Sequence, residues 1–485
     1  SAPVVLDGLP TAPTALDLGR PGSLTWDLRD GDGAEIPARV ELLRDGALVT
    51  RIYATPLDRR APVAPGAYTA RVSRGYEYTI WEGPVEVPPD GEATLSVTLE
   101  RVIDTTGWMS MDSHVHAADS PDSDVSNADR ARTAAAAGLE VIISTDHEIV
   151  SSIDAGVQAV GLDDHVATVV GQEVTATIPE HTNAFPMTPD PTLPRGGNPP
   201  WYGEDLAGVF ALERERGAGV VQLNHPRLGC SWMCMIQWNR ITGEADYPDP
   251  TALSFGPDAH LWDWNFDAIE YMNGNRSPLL DPAIPDASGL LDDWLAFLNL
   301  GHRITAMGVT DVHGLELPGE PRTYYVSPTD APSAFDERDM VDAILGGRAQ
   351  VSAGAFARVD IDGAGPGEDV TVDGVGHLRV HIEALPEIDV TRAQVLVNCD
   401  EVAVIEATDP GGVVKLDATL DLALDRDAHV VVLAFGEAPM PAALDDYDAD
   451  RVPRVTTNAI FVDADGDGAW TPPGGKACAY SVGPR

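Results

Sequence analysis

Five times between Val141 and His313, a short run of apolar and β-branched residues ends on a residue able to hold a metal ion. Val141-Ile142-Ile143-Ser144-Thr145 runs into Asp146-His147, Val166 to Val170 into Gly171-Gln172-Glu173, and Val220 to Asn224 into His225. Ala268-Ile269 leads to Glu270, and Ile304 to Thr310 leads to Asp311-Val312-His313. Ahead of them the stretch MDSHVHAADSPD, Met111 to Asp122, sets His114 and His116 two apart, on one face of a strand. Runs this short and β-branched read as buried strands. A chain built this way brings its strand ends to one place, and two imidazoles side by side there invite a metal.

Between the strands the pattern turns helical. Ser126 is placed to cap a helix Asn127 to Ala137, with Asp129 completing a capping box and Gly138 ending it. Further helices fit Glu204 to Arg216, Leu290 to Leu300 and Asp336 to Leu345, each followed by glycine. Alternating strands and helices over residues 106–355 predict an α/β domain, a parallel sheet or barrel with helices outside. Its active face lies at the carboxyl ends of the strands, where the candidate ligands fall. Residues 1–105 read instead as short strands with Pro and Gly turns, a small antiparallel β-sandwich without chemistry, and residues 356–485 as a second β-sandwich.

Two insertions interrupt the central pattern: Pro186 to Gly203, and Leu228 to Asn265 with Trp232, Trp238, Trp262 and Trp264. Such loops either shape a substrate pocket, with Trp232 in its lining, or are packed down by their tryptophans. Near the carboxyl end, Asp463, Asp465, Asp467 and Gly468 form a D-X-D-X-D-G run like the front half of a calcium loop. Gly474 stands where the bidentate glutamate belongs, so an acidic solvated turn is the other reading.

The formal charge of -46 and pI near 4.3, with Lys415 and Lys476 the only lysines, repel nucleic acid and anionic membranes. No apolar run of about 18 residues is present to span a bilayer. The start at Ser1 fits a processed precursor or a trimmed chain. Four cysteines allow bridges Cys230 to Cys234 and Cys399 to Cys478 in an oxidising compartment, or reduced structural thiols. These features lead to the expectation of a secreted or periplasmic protein. Oligomeric state is not legible.

The order His-X-His, an acidic residue six positions on, Thr-Asp-His, Gly-X-Glu, a further His, Asn-His-Pro and Asp-X-His resembles the polymerase-and-histidinol-phosphatase (PHP) superfamily of metallohydrolases. SPDSDV, GQEVT, HTNAFP and NHPR resemble its carbaryl-hydrolase-type (CehA/McbA) branch more narrowly. The resemblance covers residues 106–355. It implies a distorted seven-stranded (β/α) barrel, flanked here by the two sandwiches, holding two or three divalent ions. It also implies the ligands His114, His116, Asp122, His147, Glu173, His181, His225, Asp311 and His313, with Asp122 standing where many members carry histidine.

The donor chemistry agrees independently, since imidazoles mixed with carboxylates suit zinc, manganese or iron rather than magnesium or calcium. Glu173 is placed to bridge two ions about 3.5 to 4 Å apart, and a hydroxide held between them is a nucleophile at neutral pH. Asp311 is a candidate base as well as a ligand. Arg227, Arg276 and Arg322 are candidates to grip an anionic substrate, because a guanidinium binds phosphate in bidentate fashion. Arg227 is the first choice, and each is equally a candidate ion-pair partner. The expected activity is metal-dependent hydrolysis of phosphoester-type bonds, or of carboxyl and carbamate aryl esters, in a small-molecule substrate. The rival expectation is a secreted binding protein with a structural metal. Nuclease action is disfavoured by the charge.

Overall fold

The computed structural model describes residues 21–176, 178–228, 231–247, 249–274, 289–445 and 450–479. Arg276 and Cys230 lie outside the described residues. The protein is mixed α/β, with many strands and few helices.

The amino-terminal strands form two sheets. Arg60–Val63, Gly22–Asp30 and Glu92–Leu99 make one; Ala47–Ala54, Ala38–Arg44, Gly66–Ser73 and Trp81–Val87 make the other. In Glu92–Leu99, Leu95, Val97 and Leu99 point inward while Thr94, Ser96 and Thr98 do not, the period of two that a half-buried strand requires. The inward residues of both sheets share one apolar cluster that includes Leu24, Trp26, Val40, Leu42 and Val72. One pairing departs from the antiparallel expectation. Gly22–Asp30 runs parallel to Glu92–Leu99, because the intervening strands carry the chain back to the starting end.

Four helices form where the spacing places them, Asn127–Ala136, Leu206–Glu215, Leu290–Asn299 and Glu337–Leu345, and two short ones, Asp154–Ala159 and Trp232–Met235, form where the sequence pattern predicts none. Ser126 Oγ accepts from the Asp129 N–H at 3.1 Å. The Asp129 carboxylate does not close the box; it accepts from the Ser126 hydroxyl and from Arg132. Gly138, at φ +64°, ends the helix in the left-handed conformation that glycine adopts without strain.

The described strands do not form a single closed seven-stranded ladder. Gln172–Thr175, His181–Phe185, Val220–Leu223, Ala268–Asn273 and Thr305–Val309 make a five-stranded sheet. Ala167–Val169, Val141–Ser144, Trp108–Val115, Arg322–Val326 and Ala349–Ala353 belong to an eleven-stranded one. The two are joined by isolated bridges, His147 to Glu173 and Val115 to Val312. The ladders stop there because Glu148 (φ +59°) and Asp311 (φ +55°) take left-handed backbone that no strand continues through.

The eleven-stranded sheet also runs past residue 355. Ala349–Ala353 pairs antiparallel with Arg454–Thr457, which pairs with Ala428–Phe435. One apolar cluster accordingly extends from Trp232, Tyr271 and Trp294 to Val431, Leu433 and Phe461. On the far face, Ala355–Ile361, Val375–Ala384 and Val414–Ala423 make a three-stranded sheet over a second cluster. A disulfide joins Cys399 to Cys478, and Cys234 is also disulfide-bonded.

Candidate metal centre

The segment that ends Trp108–Val115 is held from beneath by Asp112. This fully buried carboxylate accepts from the N–H groups of His114 (3.1 Å), Thr310 (3.2 Å) and Gly319 (2.9 Å), and from the Thr310 hydroxyl. Burial pushes its pKa up to about 6 against those hydrogen bonds. Asp146 clamps the next strand end, accepting from the Ala117 N–H at 2.7 Å and the hydroxyls of Ser144 and Ser151. Buried Arg130 donates to the carbonyls of His116 (2.9 Å), Val312, Gly314 and Glu316, tying the His-X-His and Asp-X-His turns together. Two strand ends far apart in sequence are thereby fixed side by side.

On this frame the imidazoles and carboxylates converge. His114 Nε2 lies 3.2 Å from Asp311 Oδ1 and 3.4 Å from Glu173 Oε1; His116 Nε2 is 3.2 Å from the same Asp311 oxygen. Glu173 is the hub, with His147 Nδ1 at 2.6 Å, His181 Nδ1 at 3.0 Å and His225 Nε2 at 3.8 Å. His147 Nε2 and His313 Nε2 face each other at 3.3 Å, with Asp122 Oδ2 at 3.2 and 3.3 Å from them. Four overlapping groups of donor atoms could each hold an ion: His114, His116 and Glu173; Glu173, His181 and His225; His116, His147 and His313; and His114, His225 and Glu270.

All nine residues in the ligand reading therefore lie in one connected cluster. Glu270, whose strand the sequence marks but to which it assigns no role, sits behind them. One of its oxygens pairs with His114 Nδ1 and accepts from Gln222, and the other accepts from the His225 N–H (2.9 Å) and Asn273. With both oxygens engaged, Glu270 orients His114 and directs its Nε2 at the cluster. Asp112, Asp146 and Arg130 went unassigned from the sequence as well. The one signal for Asp112 is its place two residues before His114, on the same strand face.

The electrostatics suit a cation. His114 Nε2 is fully buried without a hydrogen-bond partner. Burial lowers the His114 pKa, but Asp311, Glu270 and Glu173 raise it further, to well above the usual imidazole value. Burial alone pushes Glu173 and Asp311 up, and the surrounding imidazoles, His114 foremost, hold both well below the usual carboxylate range. Burial takes His116 the other way, down to about 4. A proton on His114 partly answers this demand, and a divalent ion answers it fully. The orphaned nitrogen and the facing Nε2 atoms of His147 and His313 fit such ions.

Arg227, Arg322 and Trp232 are engaged by other partners. Arg227 makes a bidentate pair with Asp293, Nε to Oδ2 at 2.7 Å and Nη2 to Oδ1 at 3.0 Å, and is buried. Asp293 is itself fully buried and needs that counter-charge, so this guanidinium is committed to the fold. Arg322, fully buried, donates to the carbonyls of Gly319 and Ala137 and lies over the Tyr76 ring. Trp232 is buried, its indole N–H on the Leu261 carbonyl, and Trp238, Trp262 and Trp264 pack against one another and Phe297. These tryptophans pack the loops down. At the calcium-like turn, Asp463 accepts from the N–H groups of Gly466 and Gly468 and from Thr371, and Asp427 from those of Ala464, Asp465 and Thr471.

No protein-family model and no curated protein matches this chain. Among solved structures it is similar to a two-domain protein containing a predicted PHP-like metal-dependent phosphoesterase from Bacteroides vulgatus. The identity is 15%, the TM-score 0.35, and the alignment covers 75% of this chain and 97% of that one.

Proposed function

We propose that this chain is a PHP-type metal-dependent hydrolase acting on phosphoester-type bonds, with aryl carboxyl or carbamate esters as the wider range of the same site. One observation carries the reading: ring nitrogens and carboxylate oxygens of metal-ligand type converge, His114 Nε2 with Glu173 and Asp311, and His147 Nε2 with His313 Nε2, at 3.2 to 3.4 Å. A proton on one ring of each pair relieves a contact singly, whereas a divalent cation draws on all of these atoms together. Two or three divalent ions held there would supply Lewis acidity toward a substrate oxygen and bring the pKa of water to roughly 7.

The chain's own residues do the rest. Glu270 and Ser120 fix the ring nitrogens of His114 and His116 that face away from the cluster. Asp311, held ionised by its imidazole neighbours, is better suited to ligation than to accepting a proton. The two isolated bridges support reading the strands around the cluster as a distorted barrel. The Cys399–Cys478 disulfide supports a secreted or periplasmic location. Among the described residues, no helix is long and apolar enough to cross a membrane.

The test is elemental analysis of wild type beside His116→Ala, with hydrolysis of p-nitrophenyl phosphate and p-nitrophenyl acetate followed on the same samples. The expectation is two or three transition-metal ions per chain in the wild type, falling together with activity in the variant. A wild type that holds no metal and cleaves neither ester after reconstitution with zinc or manganese would overturn the reading.

A further inference from the structure

The insertion 186–203 is fastened to one corner of the centre by more than loop packing. Glu148, the residue after His147, accepts the Trp201 indole N–H at 2.8 Å and the Thr175 N–H at 2.7 Å on one oxygen, and the Asn198 amide at 2.9 Å on the other. Arg195 completes the attachment. Its carbonyl accepts from the Val150 N–H at 3.1 Å, and its Nη2 donates to the carbonyl of His147 itself at 2.7 Å. The insertion is thus joined to the peptide that carries a candidate ligand.

Arg195 differs from the arginines described above. Arg130 spends its guanidinium on backbone carbonyls, Arg227 on Asp293 and Arg322 on carbonyls beneath the sheet. Arg195 is exposed, and among the described residues its guanidinium makes that single hydrogen bond and no ion pair. Glu148, next in sequence to the peptide it binds, accepts three other donors and makes no ion pair with it among the described residues. A guanidinium offers five N–H donors, so an edge of the fork is left over. The position is a chosen one as well. Arg195 stands at φ +52°, which a β-carbon disfavours, and Gly196 after it leaves no room for a β-carbon against the Val150 carbonyl, 2.7 Å away. In a chain with 77 acidic and 31 basic side chains, an exposed arginine bonded to the backbone of a candidate ligand, with no ion pair among the described residues, is available to an outside anion.

We infer that Arg195 is a substrate-binding residue: it takes an anionic oxygen of the substrate, so the preferred substrates are esters bearing a negative charge, phosphate esters first. This rests on the hydrolase reading and names its substrate class. The guanidinium makes a charge-assisted hydrogen bond to a phosphoryl or carboxylate oxygen that the metal ions do not hold. A neutral ester makes no such bond.

The experiment compares wild type, Arg195→Ala and Arg195→Lys, each loaded with manganese. In Arg195→Ala the KM for p-nitrophenyl phosphate is expected to rise about tenfold, the worth of one charge-assisted bond. The KM for p-nitrophenyl acetate should change less than about twofold, and Arg195→Lys should recover part of the loss. Equal changes on both esters, or none, would make Arg195 a loop fastener and overturn the inference. Calorimetric titration of inorganic phosphate into the same three proteins separates this failure from that of the hydrolase reading. If the wild type cleaves neither ester, about tenfold weaker phosphate binding in Arg195→Ala still upholds Arg195 as an anion site. Equal phosphate affinity, or no phosphate binding by the wild type, overturns it.

Discussion

The centre at the strand ends and the turn at Asp427, Asp463 and Asp465 both gather metal-ligand side chains closely enough to hold an ion, yet they are opposites. At the turn, the Asp427 and Asp463 oxygens are met by N–H groups: Gly466 at 2.7 Å, Gly468 at 3.0 Å, Ala464 at 2.9 Å and Thr471 at 2.6 Å. The carboxylates there substitute for backbone acceptors and are satisfied by the fold. At the centre, Glu173 and Asp311 face imidazole nitrogens, and His114 Nε2, close to both carboxylates, makes no hydrogen bond. A cluster of acids is therefore not evidence of a metal site until the donors around it are counted. Acids already supplied with N–H groups have little left to offer a cation.

The largest effect that would sharpen this contrast belongs to Glu270→Gln. Both Glu270 oxygens accept hydrogen bonds, so an amide nitrogen on either side meets a donor: His114 Nδ1 and Gln222 on one, the His225 N–H and Asn273 on the other. His114 then loses its fixed orientation. Metal affinity is expected to drop by about 10- to 100-fold, with hydrolysis falling alongside. Competition titration with a chromogenic chelator measures it. Unchanged affinity would mean that His114 is oriented without Glu270.

Much of the centre was legible because strand ends announce themselves: a β-branched run followed by His, Asp or Glu needs no knowledge of what pairs with what. Glu270 was visible in the same way but had no partner in view, since its contact with His114 spans 156 positions. The arginines misled for a related reason. Arg227 beside His225 looks like an active-face residue, whereas Asp293, buried on the distant helix Leu290–Asn299, claims it. The sheet that carries Ala349–Ala353 into Arg454–Thr457 was invisible for the same cause, because pairing across a hundred residues leaves no local mark. Helix limits, set by neighbours within four residues, came through well.

A carboxylate with neither kind of neighbour offers a middle case. Glu213, fully buried behind His181–Phe185, has Thr182 Oγ1 on one oxygen at 2.6 Å and nothing on the other. Burial pushes its pKa from 4.5 up to about 8, against the Thr182 hydrogen bond and Arg214. The folded state therefore binds a proton that the unfolded state releases. The stability this contributes is complete below pH 4.5 and is lost as the pH rises through about 8. Glu213→Gln removes the titration, so wild type should lose stability against the variant by roughly 1 kcal/mol per pH unit between pH 5 and 8. Denaturant midpoints across that range provide the check, and parallel curves would show that Glu213 is ionised in the fold.

The smallest effect is expected at the turn. Asp465 is exposed, and its Oδ1 only accepts from the Asp467 N–H at 3.1 Å. If Asp427 and Asp463 are spent on backbone donors, calcium finds only the exposed carboxylates of Asp465 and Asp467 where it wants six to eight oxygens. Added millimolar calcium should then leave the thermal midpoint of wild type and Asp465→Asn alike within about 1 °C, because a ligand stabilises only through its affinity for the folded state. A calcium-dependent rise of several degrees in wild type, absent from Asp465→Asn, would break the contrast. It would mean that carboxylates satisfied by N–H groups keep enough lone-pair capacity to bind an ion, and that the D-X-D-X-D-G spacing was the better guide.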